Sequence, residues 1–141
     1  IDLCPGMDEL IRKLAALGFQ LAIVTSRLTK STVDTLEKYD LLRYFDTVVT
    51  CDDTDKHKPD PEPALLALER LGVSAEEAIM IGDSRFDILC AHNAGVQAVL
   101  VEWSEAMHGQ AEIQAGAEGN EKEIPDYRIG RAEELLEILS R

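Results

Sequence analysis

Short apolar runs alternate along the chain with longer amphipathic runs. The short runs are rich in Val and Ile and end at polar residues, a pattern typical of strands that are buried on both faces. They predict β-strands at Gln20–Val24, Asp46–Thr50, Ala78–Ile81, Gln97–Glu102 and Tyr127–Ile129. The amphipathic runs repeat every three or four residues and predict helices at Met7–Leu17, Ser31–Tyr39, Pro63–Leu71, Arg85–Asn93 and Ala132–Leu139.

This order of elements predicts an α/β fold. Strands that alternate with helices form a parallel sheet covered on both faces, which gives one Rossmann-like, three-layer domain over residues 1–141. Residues 105–123 are rich in Gly, Ala and Glu and have weak periodicity, which indicates a surface excursion. The helical stripes expected to face the core are Leu10, Ile11, Leu14 and Leu17 in the first helix and Leu65, Leu68 and Leu71 in the third.

Polar groups follow several predicted strands at the point where the apolar run ends. Thr25 and Ser26 follow the first strand, Asp83 follows the third, and Lys58 lies in the loop after the second. The carboxyl ends of parallel strands meet at one edge of a sheet, where α/β proteins bind their ligands. We therefore expect these side chains to lie close together.

Composition narrows the range of partners. The net charge of −13 and the pI near 4.5 argue against a nucleic-acid-binding surface, which needs a basic patch. No apolar stretch has the length of a membrane span. The three cysteines, Cys4, Cys51 and Cys90, form no metal-binding or disulfide pattern, which is typical of a reduced, cytoplasmic protein.

The segment from Gly82 to Asp87 predicts a metal site. A carboxylate at a strand end, here Asp83, can bind Mg²⁺, which takes few protein oxygens and keeps several waters. Asp87 lies about one helical turn later and is expected to orient Asp83 or the metal-bound waters. The alternative is that Asp83 or Ser84 only caps the following helix.

Two further groups suit an anionic ligand. Thr25 and Ser26 place hydroxyls and backbone N–H groups where a strand meets a helix, although capping by Ser26 explains the same residues. Lys58 lies beside three alternating prolines that stiffen the backbone, and an ammonium group held in this way can neutralise a phosphate. The alternative for Lys58 is an ordinary surface lysine, and His57 is interpreted as a solvated loop residue.

The order of these motifs resembles the haloacid dehalogenase superfamily of phosphohydrolases. The matching segments are the strand ending in Val24-Thr25-Ser26, the Lys58–Gly72 segment and the Ile81–Gly95 segment, and residues 51–63 look like the phosphoglycolate phosphatase and PpaX-type pyrophosphatase branch. The resemblance implies that Thr25 and Ser26 bind the transferred phosphoryl group and that Lys58 balances its charge. It also implies Mg²⁺ as cofactor, bound by Asp83 with support from Asp87.

One motif of that family has no counterpart in the sequence. Family members use an Asp-x-Asp pair at the end of a central strand as nucleophile and general acid/base, followed by a cap domain. Asp2 and Asp8 have neither the spacing nor a preceding apolar strand, so neither is assigned this role. We expect that Ile1 is not the native start, that the central strand between those ending at Thr25 and Asp83 is missing, and that the 141-residue chain alone has little or no activity.

The resemblance implies an Mg²⁺-dependent phosphatase in the full-length protein. Its substrate would be a small phosphorylated metabolite, such as phosphoglycolate, or pyrophosphate, hydrolysed through an aspartyl-phosphate; nucleic acids and membranes are not expected partners. The alternative is an inactive module that serves in protein association. The sequence does not specify whether the protein forms a homo-oligomer. A phospho-receiver domain is excluded because it requires Asp, Thr and Lys in that order, whereas this chain has Thr25, Lys58 and then Asp83.

Overall fold

The computed structural model describes residues 7–102, 124–131 and 133–139. The helices are α1 (Met7–Ala16), α2 (Thr29–Lys38), α3 (Glu62–Leu71), α4 (Arg85–Asn93) and α5 (Glu133–Leu139). The strands are β1 (Ala22–Val24), β2 (Thr47–Val49), β3 (Ile79–Gly82), β4 (Gln97–Val101) and β5 (Tyr127–Ile129). The segment 105–123, for which we predicted a surface excursion, lies outside the described residues, as do Ile1, Asp2 and Cys4.

All five predicted strands form, and every strand pair is parallel, which confirms the α/β class. They are divided between two sheets, one with the order β1-β2 and the other with the order β3-β4-β5. Within the described residues, β1 pairs only with β2, and β3 pairs only with β4. One edge of β1 and one edge of β3 therefore have no strand partner in this part of the chain, as expected if a central strand belongs between them.

The second sheet has helices packed on both faces, because the side chains of β4 alternate. Ala98 and Leu100 pack with Ile88 and Ala91 of α4. On the opposite face, the buried cluster consists of Val99 and Val101 of β4, Ile129 of β5, Leu10 and Leu14 of α1, and Leu135 of α5. This is the three-layer arrangement that the near-continuous apolar strands predicted.

The predicted core stripes are partly wrong. Leu10, Ile11 and Leu14 are buried, but Leu17 is 62% exposed because α1 ends at Ala16, before the residue that we had placed on its stripe. In α3 the buried positions are Pro63, Ala64 and Ala67, whereas Leu65 is 47% exposed. Small residues let α3 approach β1 and β2 closely, and the larger leucines lie to either side.

An open slot lies between β1 and β3, with a volume of about 700 Å³. Most of the residues that line it are apolar, but Gln20, Glu76, Glu77 and Gln97 also belong to its lining. The lining includes Leu21, Ala22 and Val24 from the β1 segment, Ile79, Met80 and Ile81 from β3, Leu68 and Leu71 from α3, Leu14 from α1, and Leu135, Ile138 and Leu139 from α5. We call this space the interstrand slot. It is bounded by strand edges on two sides and by helices above and below.

A histidine–aspartate pair connects α4 to the segment before β5. The Asp126 carboxylate accepts hydrogen bonds from the Ala98 N–H at 2.7 Å and lies 2.8 Å from Nε2 of His92. Burial acts to raise the pKa of Asp126, but the hydrogen bonds from Ala98 and His92 outweigh it and lower the pKa below its ordinary value. The ionised carboxylate therefore stabilises the fold, and this contribution is lost on acidification.

We predict that Asp126→Asn removes part of the acid sensitivity of the fold. Because the folded-state pKa is depressed, the Asp126 contribution is complete above its unfolded-state pKa of about 3.9 and is lost as pH falls through the folded value. The partly exposed pair should contribute less than about 1 kcal/mol at neutral pH. Urea unfolding at pH 7 and pH 3.5 checks this, and an equal pH dependence in both proteins would contradict it.

Candidate active site

Thr25 and Ser26 begin the loop that follows β1, as predicted. The Thr25 N–H donates to the Val49 carbonyl of β2 at 2.9 Å, which continues the strand pairing by one residue. The Thr25 hydroxyl accepts a hydrogen bond from the Arg27 N–H at 3.2 Å, so the loop turns back at its start. Ser26 is exposed at the tip of this turn. The hydroxyl and the backbone N–H groups of the loop thus lie at the carboxyl end of β1.

Lys58 extends from its proline-rich loop to the same strand end. Its Nζ lies 3.3 Å from the carbonyl oxygen of Val24, the residue before Thr25, and 2.5 Å from Oδ1 of Asp87. The two side chains of this ion pair are only 17% and 9% exposed. Lys58 is therefore a partly buried cation with fixed partners, and the alternative of an ordinary surface lysine is wrong.

Asp87 is the centre of the hydrogen-bond network at the end of β3. Its Oδ2 accepts from the Asp83 N–H at 3.1 Å and from the Ser84 hydroxyl at 3.3 Å, while Oδ1 binds Lys58. Ser84 caps α4, because its Oγ accepts from the Asp87 N–H at 3.4 Å. Ser84, and not Asp83, is thus the helix cap, and Asp87 fixes the backbone from which the Asp83 side chain extends.

Gly82 makes this arrangement possible. A Cβ at position 82 would lie well within 3.0 Å of the Cβ and carboxylate atoms of Asp87. The requirement at this position is therefore for space and not for an unusual backbone conformation. The absence of a side chain lets the Asp87 carboxylate pack directly against the end of β3, from where it reaches both Asp83 and Lys58.

The Asp83 carboxyl lies at the open rim next to a second carboxylate. Burial raises its pKa, and the negative charge of Asp87 raises it further, despite the opposing effect of Lys58. The nearby positive charge of Lys58 is therefore not enough to offset the burial of an ionised Asp83 and its repulsion by Asp87. A divalent cation would supply it, and Mg²⁺ requires only one or two carboxylates when waters complete its shell. The chemistry of these carboxylates fits such an ion, for which Asp83 would be the direct ligand and Asp87 would lie behind it.

The structure thus brings Lys58, Asp83 and Asp87 together beside the backbone that carries Thr25. Two residues to which the sequence assigned no catalytic role lie on the surface. Asp8 forms a salt bridge with Arg12 on the surface of α1, and His57 is exposed. Among the described residues, no group of three or more His, Cys, Asp or Glu side chains could hold a metal ion by itself, so most ligands of an ion at Asp83 would have to be waters or substrate oxygens.

The sequence reasoning missed a second network, which connects the loops after β1 and β2. Asp52 accepts hydrogen bonds from the backbone and the hydroxyl of Thr29, and the Thr29 hydroxyl lies 2.6 Å from that of the buried Thr50. The available signal was a pair of acidic residues, Asp52 and Asp53, directly after a predicted strand. This pair does not reveal the contact itself, because Thr29 lies 23 positions from Asp52 in the sequence.

Comparisons with known proteins give a matching family and related sequences. Residues 1–101 match the family described as haloacid dehalogenase-like hydrolase. Over 133 residues the chain is 41% identical to a protein of Caldanaerobacter subterraneus provisionally named pyrophosphatase PpaX. This alignment covers 94% of the chain and 56% of that protein. Over 130 residues it is 38% identical to pyrophosphatase PpaX of Bacillus velezensis, with 92% of the chain and 56% of the relative covered.

Solved structures give the same result for the fold. A Lactobacillus plantarum protein provisionally named phosphoglycolate phosphatase superposes with a TM-score of 0.78 at 30% identity, covering 97% of this chain and 60% of that one. The chain therefore spans little more than half the length of the proteins it matches.

Within the described residues, no helix is both long and apolar enough to cross a lipid bilayer.

Proposed function

The chain belongs to the haloacid dehalogenase-like hydrolases, and from that premise we propose that its site takes part in Mg²⁺-dependent hydrolysis of a small phosphorylated metabolite or of pyrophosphate. The predicted resemblance to this family and to its phosphoglycolate phosphatase and PpaX-type branch is confirmed. The reaction and the residue roles described below are proposals for the complete enzyme.

The observation that carries the proposal is the position of the Lys58 ammonium. It is held at the carboxyl end of β1 by the Val24 carbonyl and by Asp87, next to the Thr25 loop. A phosphoryl group bound by the Thr25 hydroxyl and the loop N–H groups would place its negative charge near this cation. Lys58 would neutralise the phosphate, and Ser26 would add a neighbouring hydrogen bond. Fixed donors of this kind stabilise charge that develops during phosphoryl transfer.

Asp83 would hold the Mg²⁺ ion. The ion, when bound, would neutralise phosphate oxygens and offset the repulsion between Asp83 and Asp87. Asp87 would act on the site indirectly, by fixing the Asp83 backbone N–H and holding Lys58 in place. Removal of the Asp87 carboxylate would therefore disturb the cation and the metal ligand together.

The interstrand slot suggests where the attacking group belongs. The edges of β1 and β3 that have no strand partner among the described residues present N–H and C=O groups that a further parallel strand would satisfy, and the mainly apolar side chains of the slot suit a strand buried on both faces. The carboxyl end of such a strand would emerge between Val24 and Gly82, beside Thr25, Lys58 and Asp83. We propose that the nucleophilic aspartate occupies this position and forms the aspartyl-phosphate. Without it, the chain should turn over little or no substrate.

We predict that Asp83→Asn abolishes the response of the chain to Mg²⁺ without loss of stability. The raised pKa of Asp83 means that its ionised form is disfavoured in the fold, so the neutral amide should leave the melting temperature in metal-free buffer unchanged or slightly higher. Added Mg²⁺ should raise the melting temperature of the original chain by mass action, but not that of the variant.

Thermal unfolding with and without excess Mg²⁺ measures this effect. Asp55→Asn serves as the matched control, because it removes one exposed carboxylate from the neighbouring loop and leaves the network at β3 intact. The control should respond to Mg²⁺ like the original chain. If Mg²⁺ stabilises the Asp83 variant as much as the control, the ion binds elsewhere and the assignment of Asp83 is wrong.

A further inference from the structure

The helix that follows the Thr25 loop has no cap of its own. Leu28 occupies the N-cap position of α2, its side chain makes no capping hydrogen bond, and the first turn contains no acidic residue. The initial N–H groups of a helix need acceptors, and the partial positive charge there favours a carboxylate. With these residues alone, the first turn of α2 would be poorly stabilised. The loop between Thr25 and Leu28 would then lack a fixed conformation at its end.

Asp52 supplies the missing acceptor from the loop after β2. Its Oδ2 accepts hydrogen bonds from the N–H of Thr29 at 2.9 Å and from the Thr29 hydroxyl at 2.8 Å. The Thr29 N–H holds the pKa of Asp52 below its ordinary value, so the carboxylate is ionised at neutral pH. A residue 23 positions away in sequence thus caps the helix that begins where the Thr25 loop ends.

Two more contacts join the loops that follow β1 and β2, and one of them involves the buried Thr50. The Cys51 N–H donates to the Arg27 carbonyl at 3.0 Å. The Thr29 hydroxyl lies 2.6 Å from the hydroxyl of Thr50, which is 1% exposed and is itself held by Asp53. The Thr25 loop is therefore attached at its start to β2 through Thr25 N–H and at its end to the Asp52 segment.

We propose that Asp52 is a positioning residue for phosphate binding. It does not touch the phosphate; it fixes the end of the Thr25 loop so that the Thr25 hydroxyl and the Ser26 N–H are directed at the ligand. This inference rests on the proposed function of the same loop. If only the capped loop binds the anion, loss of the cap should weaken phosphate binding by up to about fivefold.

The sign of the effect separates positioning from simple electrostatics. Asp52 carries a negative charge near a site for an anion, so removing it should tighten phosphate binding if charge alone matters. A positioning role predicts the opposite for Asp52→Ala. Asp52→Asn removes the charge but keeps an oxygen acceptor for Thr29, so it should bind phosphate as well as, or slightly better than, the original chain.

Titration of the 141-residue chain with inorganic phosphate in saturating Mg²⁺, followed by amide NMR, tests the inference. We expect weaker binding for Asp52→Ala only, with Asp52→Asn and the charge-matched control Asp55→Ala close to the original chain. Titration with Mg²⁺ alone should give the same affinity in all four proteins, because the Asp83 site does not depend on the Thr25 loop.

Each other outcome overturns a defined part of the account. Equal or tighter phosphate binding by Asp52→Ala overturns the positioning role. Loss of both phosphate and Mg²⁺ binding in Asp52→Ala assigns Asp52 to general stability and also overturns it. No phosphate binding by the original chain, with Mg²⁺ bound or not, overturns the proposed function itself together with the inference.

Discussion

Asp87→Ala is expected to lower the free energy of unfolding by about 3–5 kcal/mol, the usual effect of removing one partner of a buried ion pair. The variant leaves the Lys58 ammonium, which is 17% exposed, without its carboxylate. It also removes the acceptor for the Asp83 N–H and the Ser84 hydroxyl at the end of β3. Three groups therefore each lose a hydrogen-bond or ion-pair partner in one substitution, and Lys58 keeps only the Val24 carbonyl.

Chemical denaturation at pH 7 measures this loss. The chain provides a matched control in Lys30 and Asp34, an exposed ion pair on α2 with side chains 87% and 62% exposed. Asp34→Ala should change the free energy of unfolding little, because exposed ion pairs contribute little to stability. If Asp87→Ala costs no more than Asp34→Ala, the Lys58–Asp87 pair is not the centre of the site. An additional Lys58→Met substitution in the Asp87 variant should recover part of the stability, since it removes the unpaired charge.

Gly82→Ala is expected to have the second-largest effect. Its Cβ would overlap the Asp87 side chain, so the end of β3 and the start of α4 must move apart. Overpacking of this kind costs about 1–3 kcal/mol, and here it also displaces the carboxylate that holds Asp83 and Lys58. We therefore expect lower stability together with loss of the Mg²⁺ response.

Thermal unfolding with and without Mg²⁺ checks both parts of this prediction. Gly130→Ala is the control, because a Cβ there would meet only Glu134, at the ordinary contact distance of 3.6 Å. It should change stability little. A Gly82 variant that keeps the stability and the Mg²⁺ response of the original chain would show that Asp87 can fulfil its role from another position, contrary to the tight packing described.

Most of the fold could be predicted from the sequence, because burial determines the apolar pattern. Gln97–Val101 forms a strand because its residues fill both faces of a covered sheet, and Gly72 ends α3 in a left-handed conformation (φ 70°) that favours glycine. Strand positions were correct to within one or two residues. The buried face of α3 was not predicted correctly, because the helix has one stripe of leucines and another of alanines. The alanines face the core, since α3 packs closely against β1 and β2.

The candidate site was predictable only as a set of residue types. The strand ends identified Thr25, Lys58 and Asp83, but nothing local shows that Lys58 pairs with Asp87, 29 positions away, or that Gly82 provides the space for that pair. The cap that Asp52 gives to α2 was missed for the same reason. Such contacts depend on how distant segments pack, which periodicity and turn residues do not encode.

Hydrolysis of pyrophosphate with Mg²⁺, with and without an added strand peptide, tests the central claim most directly. The peptide would contain about five apolar residues, the length of an ordinary short strand, followed by Asp-x-Asp, and a matched peptide would carry Asn in place of the first Asp. We predict no turnover by the chain alone, turnover with the Asp peptide, and binding without turnover with the Asn peptide. Full activity of the chain alone that Asp83→Ala abolishes would contradict the account, because the nucleophile would then lie within residues 1–141.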